Sequence, residues 1–587
     1  MKLRMRPSTR RPLLKFTTCA VIALTTWPAQ AAADHTIVAT DFRLTASSHV
    51  AGASPDASSW TTLTYPGGVG NTDDIKHTIG HFAAGMVANP EAVPKCPRDV
   101  YLADSCPANT LIGSSEADVH ALPPVGPVVT EPGRIYNVVQ QGTEAGRLGI
   151  VIDATSKAFL EAAFYVRNTG DYGLDGDLDN LPRNLLGVGD IQIRRLKFTL
   201  FGTVQGRKFT RAPTSCSLKV STGEGEAYDH PGFVAGPSDS YTPTDCDKLP
   251  FAPTFAMSVG DRGSTGERDK PPLNVTVTQK TGEAGILGNG VTLPFEIGPN
   301  LPAFTTICTL AQSAADACPA GSKMGTAVAT SSFVDKPLTG DVYAVEQAGV
   351  AFLPGLVADL RGRVNAKIRI ATAIIGGKYI RSTVTDVPDL PVSSFSMSLI
   401  GGAKGPLESK FDLCFKRANK FRTMTPEVTF SAHSGKRTAS KPRLAVVGCA
   451  PAATASLRNA AARRTTLALT VERHPDAENI EGLSVTLPRG AKLVSKRMKG
   501  KAVGVKGAGA LRATVRAAGT RTLQISKLSS KGSRKLTITL RRGAVRLSPK
   551  LRKLARKGKR PKVRIKVRAR DTKGVYHVAR VSAAARR

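Results

Sequence analysis

The chain has 587 residues, 41% of them hydrophobic and 5% aromatic, with 55 glycines and 38 prolines. Such a length predicts three or four domains of ~100–200 residues each, and no apolar run after the N-terminus reaches the ~18 residues of a membrane-spanning helix. The formal net charge is +37, yet residues 451–587 hold about 37 Lys and Arg against about five Asp and Glu, a net near +32, which excludes a chain that is basic throughout and leaves the remainder close to neutral.

Residues 1–33 read as an export signal. Lys2, Arg4, Arg6, Arg10, Arg11 and Lys15 form a basic leader, Phe16 to Trp27 a short apolar stretch, and Ala29-Gln30-Ala31 or Ala31-Ala32-Ala33 a small-residue cleavage site. The run Thr9 to Lys15 also suits a twin-arginine signal. Removing the signal removes Cys19 and leaves eight cysteines, an even number in an exported chain, which favours disulfides over thiol chemistry or metal binding.

Residues 34–250 and 251–450 read as two copies of one β module. Cys96 and Cys106 stand ten apart, as do Cys308 and Cys318. The phrase Cys106-Pro107-Ala108 running to Gly113-Ser114 returns as Cys318-Pro319-Ala320 running to Gly325-Thr326. Further on, Gly133 to Gln140 answers Gly340 to Gln347, Gly149 to Asp153 answers Gly355 to Asp359, and Asp190 to Gly202 answers Asp389 to Gly401. If the copies fold alike, the close pairs are Cys96–Cys106 and Cys308–Cys318, and Cys216–Cys246 and Cys414–Cys449 follow. Chain entropy assigns roughly 2.8 kcal/mol to each short loop and about 3.7 to each long one. Leu196, Phe198 and Leu200 alternate with Lys197 and Thr199, and Phe395, Met397 and Leu399 alternate with serines. Period-two patterning broken by Gly and Pro about every ten residues predicts all-β, Ig-like sandwiches, with one short helical turn over Ala311 to Ala317. Residues 451–587 alternate again, at Leu467, Leu469 and Val471, at Leu536, Ile538 and Leu540, and at Val563, Ile565 and Val567. They predict one further, basic sandwich.

The Cys-Pro-Ala-x-Ser/Thr-x-x-Gly-Ser/Thr phrase, the Gly-x-Val/Ile-Tyr strand and the run Asp386 to Phe395 resemble tandem modules of large secreted bacterial multi-domain proteins. So does a basic sandwich closing the chain. The resemblance spans roughly residues 55–587. It implies a modular, extracellular, β-rich protein and carries over no catalytic residue. The first copy departs from the pattern where Asn184 to Gly189 replaces the Pro-rich run.

Candidate chemistry is sparse. Asp171, Asp175, Asp177 and Asp179 share a glycine-containing loop, and Asp175, Asp177 and Asp179 are a weak calcium candidate. The loop lacks the glycine and the closing glutamate of an EF-hand and reads first as a solvated acidic turn. His77 and His81 are four apart, but no glutamate follows His77 as a metalloprotease base would, so they read as ordinary polar side chains. There is no Gly-x-Ser-x-Gly elbow, Gly435-Lys436 lacks a phosphate-loop lead, and Glu224 with Glu226 is a glycosidase pair only by coincidence. No cofactor is expected.

The basic module is the better candidate. Lys562, Arg564, Lys566, Arg568 and Arg570 alternate with Val563, Ile565, Val567 and Ala569, so a strand here carries a ridge of cations over an aliphatic face. Arg552, Lys553, Arg556, Lys557, Lys559 and Arg560 add to it from a short helix after Pro549 and the segment that follows. The partners expected for an exported chain are anionic envelope polymers or lipid head groups. Nucleic acid is less favoured, because the module has no Phe or Trp and a single tyrosine, Tyr576, for base stacking. The leading expectation is a non-enzymatic secreted or surface protein retained by this module. A secreted hydrolase using loop carboxylates such as Asp153, Glu161 and Asp171, and an extracellular nucleic-acid binder, are the alternatives.

Overall fold

A computed structural model describes residues 38–65, 73–121, 127–168, 170–185, 189–349, 353–417, 420–497, 502–507, 513–528 and 532–586; the segment expected to be an export signal, Cys19 included, lies outside them. The chain is all-β, a tandem of disulfide-pinned sandwiches followed by one more. The first repeat is built from β1 (Val38–Ala46), β2 (Ala57–Thr64), β3 (Ile75–His81), β4 (Leu111–Ala121), β5 (Val128–Asn137), β6 (Gly146–Ile152), β7 (Ala158–Val166), β8 (Leu174–Leu178), β9 (Gly189–Leu200), β10 (Lys219–Ala227) and β11 (Val234–Tyr241). The second is built from β12 (Thr254–Val259), β13 (Leu273–Thr278), β14 (Ile286–Thr292), β15 (Lys323–Thr330), β16 (Leu338–Val345), β17 (Gly355–Arg361), β18 (Ala366–Ile375), β19 (Tyr379–Val384), β20 (Ser394–Leu399), β21 (Glu427–Ala432) and β22 (Arg437–Ser440).

The two repeats share one topology. Hydrogen-bonded neighbours run β1-β2-β9-β4-β5-β6-β7-β8-β3-β10-β11 in the first and β12-β13-β20-β15-β16-β17-β18-β19-β14-β21-β22 in the second, strand for strand. Each sandwich is therefore one long sheet folded over on itself, antiparallel throughout the shared strands, with the short strand Ala445–Val446 added in parallel beside β12 in the second. In the first repeat the fold brings the edge strands together: the Leu44 N–H on β1 donates to the Asp239 carboxylate on β11 at 2.7 Å. In the second, Ala445 and Val446 pair in parallel with the outer side of β12, and the Phe255 ring on β12 lies 6.4 Å from that of Phe430 on the penultimate strand β21. In the first repeat that contact satisfies one backbone N–H of an edge strand, which an open sheet otherwise leaves unpaired.

The repeated phrase has a physical reading in both copies. Cys106 and Cys318 each precede a proline that starts a single 3₁₀ turn, Ala108–Thr110 and Ala320–Ser322. Thr110 and Ser322 are buried, and each hydroxyl donates back to the proline carbonyl, at 2.6 and 2.7 Å. A β-bulge then follows, between Leu111 and Gly113 and between Lys323 and Gly325, with Ile112 and Met324 pointing into the core. At the glycine the neighbouring strand passes so close that a Cβ would overlap the carbonyl oxygen of Thr199 in one copy and Ser398 in the other. The phrase thus encodes a turn, its closure and a close strand approach.

Four disulfides are formed, Cys96–Cys106, Cys216–Cys246, Cys308–Cys318 and Cys414–Cys449. Each short one closes a loop holding one helical turn, α1 (Arg98–Leu102) or α2 (Leu310–Ala314). The first cysteine of each loop makes the same ladder contacts: Cys96 N–H to the Asn137 carbonyl at 2.7 Å, and Cys308 N–H to that of Ala344 at 2.9 Å. Disulfides persist in oxidising, extracellular surroundings. Among the described residues no helix is long and apolar enough to cross a membrane.

The terminal module packs two five-stranded sheets face to face. One holds β23 (Ala452–Arg458), β24 (Thr465–Glu472), β26 (Ala491–Leu493), β27 (Val503–Lys506) and β30 (Lys535–Leu547). The other holds β25 (Ile480–Thr486), β28 (Thr514–Ala517), β29 (Thr522–Ser526), β31 (Lys562–Asp571) and β32 (Tyr576–Ala584). The helix α3 (Pro549–Arg556) connects β30 to β31. Asp476 ties this module to the second repeat, accepting from the Val446 N–H at 2.9 Å and pairing with Arg443 at 3.0 Å.

Candidate anion-binding face

β31 alternates along its whole length. Val563, Ile565, Val567 and Ala569 are buried, and Lys562, Arg564, Lys566, Arg568 and Arg570 are exposed. The strand ends at buried Asp571, whose carboxylate accepts from the N–H groups of Lys573 and Val575 at 3.0 and 2.8 Å and so closes the turn to β32. Same-side neighbours on a strand stand about 7 Å apart, inside the ~8 Å Debye length of physiological salt, so these cations repel one another.

Of the module's few acids only Glu481 reaches the ridge, at its last cation. Glu472 pairs with Lys535 at 3.1 Å, Asp476 with Arg443, Glu478 with Lys573 at 2.8 Å and Glu481 with Arg570 at 3.5 Å, while Asp571 holds His577 at 3.0 Å. The Lys573 ammonium keeps the exposed Glu478 carboxyl below its ordinary pKa. Arg568 stacks on the Tyr576 ring, 3.8 Å from its centre. Among the described residues no carboxylate lies within 4.0 Å of Lys562, Arg564 or Lys566.

α3 is capped by Ser548, which accepts from the Leu551 N–H at 3.4 Å, with Pro549 at the first position. Ala555 is buried and Leu551 packs on the core, while Lys553, Arg556 and Lys557 are exposed, as are Lys559 and Arg560 beyond the helix. Arg552 is half-buried, with its Nε unpartnered, and is the one helix cation turned partly away from solvent. The sheet face also holds two cations that the sequence reading did not single out. Arg580 on β32 sits opposite Lys566, and Arg516 on β28 lies in the cross-strand row of Gln524, Ser484 and Arg568. The alternation of β32 carried a signal for Arg580; only the sheet order places Arg516.

The middle of the acidic segment is strand rather than the expected loop, with Asp171 and Asp179 in the connections on either side. Asp175 and Asp177 lie on β8, which is paired between β7 and β3. Asp177 meets His77 Nε2 at 2.8 Å and Asp175 meets His81 Nδ1 at 2.8 Å, while Asp179 stands 3.8 Å from His77 Nδ1. Arg167 holds Asp171 at 2.9 Å and also reaches Asp175. Cations and histidines divide the carboxylates between them, so they do not converge on one point. Among the described residues no three His, Cys, Asp or Glu form a metal-binding group.

The hydrolase carboxylates are likewise dispersed. Asp153 is gripped by Arg134, which holds its carboxyl below the usual range; Glu161 binds Arg98 at 2.7 Å and also Arg147. A general acid needs the opposite shift, upward by burial. Glu224 stands 3.5 Å from His81 and Glu226 stands 3.5 Å from Lys76.

No protein-family model matches the chain, and no curated protein matches it. Similar solved structures include the collagen adhesin of S. aureus, at 8% identity over 56% of this chain and 95% of that one, with a TM-score of 0.16. The collagen-binding domain of the Erysipelothrix rhusiopathiae surface protein RspB shows 12% identity over 57% and 96%, with a TM-score of 0.15. The full-length major pilin SpaD of Corynebacterium diphtheriae shows 9% identity over 78% and 82%, with a TM-score of 0.17. Overlap this slight carries no functional argument, and the all-β organisation rests on the chain's own sheets.

Proposed function

We propose that the chain is an exported, non-enzymatic binding protein, held on anionic polymers of the cell envelope by its terminal sandwich. One observation carries the reading: β31 presents a ridge of cations while the module's five acids are engaged away from Lys562, Arg564 and Lys566. A polyanion lying across the strand relieves that repulsion and gives contacts that salt weakens. The lone aromatic of the module, Tyr576, is already covered by Arg568, which argues against base stacking and hence against single-stranded nucleic acid as the main partner.

The test is elution from whole cells. Washing at ~1 M salt, where the Debye length is about 3 Å, releases the intact protein, and a chain ending at Ala450 is not retained even at low salt. Equal retention of the two chains at low salt overturns the reading.

A further inference from the structure

Among the described residues the folded sheets of the two repeats leave space beside their packed cores, a partly open cavity of about 550 Å³ lined from both. Phe164 and Phe198 line it from the first repeat, and Val277, Ile368, Phe395 and Met397 from the second. These side chains sit at inward strand positions, yet all six are only half-buried. Close-packed interiors leave few voids larger than a water molecule, whereas ligand pockets of ~300–1,000 Å³ are mostly apolar with a few placed polar groups.

One such group lies where the repeats join. Arg211 lines the cavity with its side chain 13% exposed. Its Nη1 is buried and donates no hydrogen bond. The nearest carboxylate, Asp389, stands 3.9 Å away and already accepts from the Thr214 N–H and hydroxyl, both at 2.6 Å. Thr214 Oγ1 in turn accepts from the Gly285 N–H at 3.0 Å, so Asp389 serves to clamp the two repeats together. Lys219 lies in the field of the same carboxylate, with its ammonium on Ser215 at 2.7 Å. Burial lowers the pKa of both cations, and Asp389 opposes the shift at each. Two cations thus face one carboxylate that is engaged elsewhere, and a buried guanidinium with an unmet donor is costly unless an anion meets it.

We propose that the lumen binds an extended aliphatic anion of the long-chain fatty-acid type, with its hydrocarbon along the apolar strands and its charged head on Arg211. An arginine fork suits a carboxylate or phosphate oxygen pair, and each methylene taken from water adds to binding. The site is separate from the cationic face and stands whether or not that face binds polymer.

The experiment is displacement of the fluorescent fatty acid cis-parinaric acid from the full-length protein. Palmitate and lysophosphatidylglycerol serve as the two anionic competitors and hexadecanol as the neutral one. Either anion, or both, displaces the probe more strongly than hexadecanol, and the stronger of the two identifies the head group. Arg211→Met weakens that anion by about ten- to hundredfold and leaves hexadecanol unchanged. Val277→Phe, which fills the lumen from its wall, abolishes binding of all three and carries the test should Arg211→Met fail to fold. Absence of displacement, equal affinity for hexadecanol and the anions, or unaltered binding in Val277→Phe overturns the proposal.

Discussion

In the terminal sandwich the inward side chains are sealed: Leu467, Leu469, Val485, Leu536 and Val567 are each exposed by 1% or less. In the two repeats, Phe198, Val277, Phe395 and Met397 occupy equally inward strand positions and stay half-buried. The difference lies in architecture rather than in residue type. Two short sheets can close on each other until their side chains interlock. One long sheet that turns back on itself has a perimeter set by its strand count, and even Phe198, Phe395 and Met397 leave part of that width open. Charge follows the opposite pattern. The repeats neutralise their ions locally, as Arg147 does with Glu144 and Glu161 and Arg134 with Asp104 and Asp153, while the packed module leaves a cationic ridge in solvent. One region keeps a cavity beside its packed core and pairs many of its ions, the other is sealed and cationic.

The contrast can be broken by matched truncations. Leu469→Ala opens a cavity in a sealed core and should cost about 3 kcal/mol, while Leu200→Ala, at the wall of the lumen, should cost about 1, because little contact is lost where space already exists. Calorimetry on the full chain distinguishes them; equal losses would mean that the repeats are packed as tightly as the terminal module. Gly325→Ala should cost about 2 kcal/mol, since the added methyl meets the Ser398 carbonyl and β15 and β20 must part at the bulge. A neutral outcome would show that the repeated phrase does not need its glycine.

A third test concerns charge inside the balanced region. Burial pushes the Asp74 pKa up from 3.8 to about 6. The folded state therefore holds a proton that the unfolded chain has released between those values, so stability is gained as pH falls from 7 toward 4 and lost as it rises. Asp74→Asn should add roughly 1 kcal/mol at pH 7 and almost nothing at pH 4; melting curves across that window check the sign. The smallest effect belongs to the ridge. Replacing Lys562, Arg564 and Lys566 together with serine should move stability by no more than ~0.5 kcal/mol, yet it should lower the salt concentration that elutes the protein from cells. A large loss of stability would mean that the cations support the fold rather than a partner.

The legible parts were local. The alternation of β31 and the helix after Pro549 follow from period and capping, signals contained within ten residues. The cysteine phrase was legible as a repeat, and its letters turn out to specify a turn, a hydroxyl closure and a strand crossing. The partners of the acidic segment are not legible because they are remote: His81 and His77 lie 94 and 100 positions from Asp175 and Asp177. Nothing within residues 171–179 announces that a strand bearing two histidines runs alongside.

The sequence by itself determined the β class, the duplication and the concentration of positive charge at one end, because each depends on the order and kind of neighbouring residues. Only the tertiary structure decided that each repeat is one sheet folded over, that a cavity among the described residues lies beside their cores, and that Arg211 meets Asp389 across 178 positions at 3.9 Å. Those outcomes depend on how many strands join before the edges meet and on which loops that closure brings together. Non-local distances of that kind have no counterpart in residue spacing along the chain.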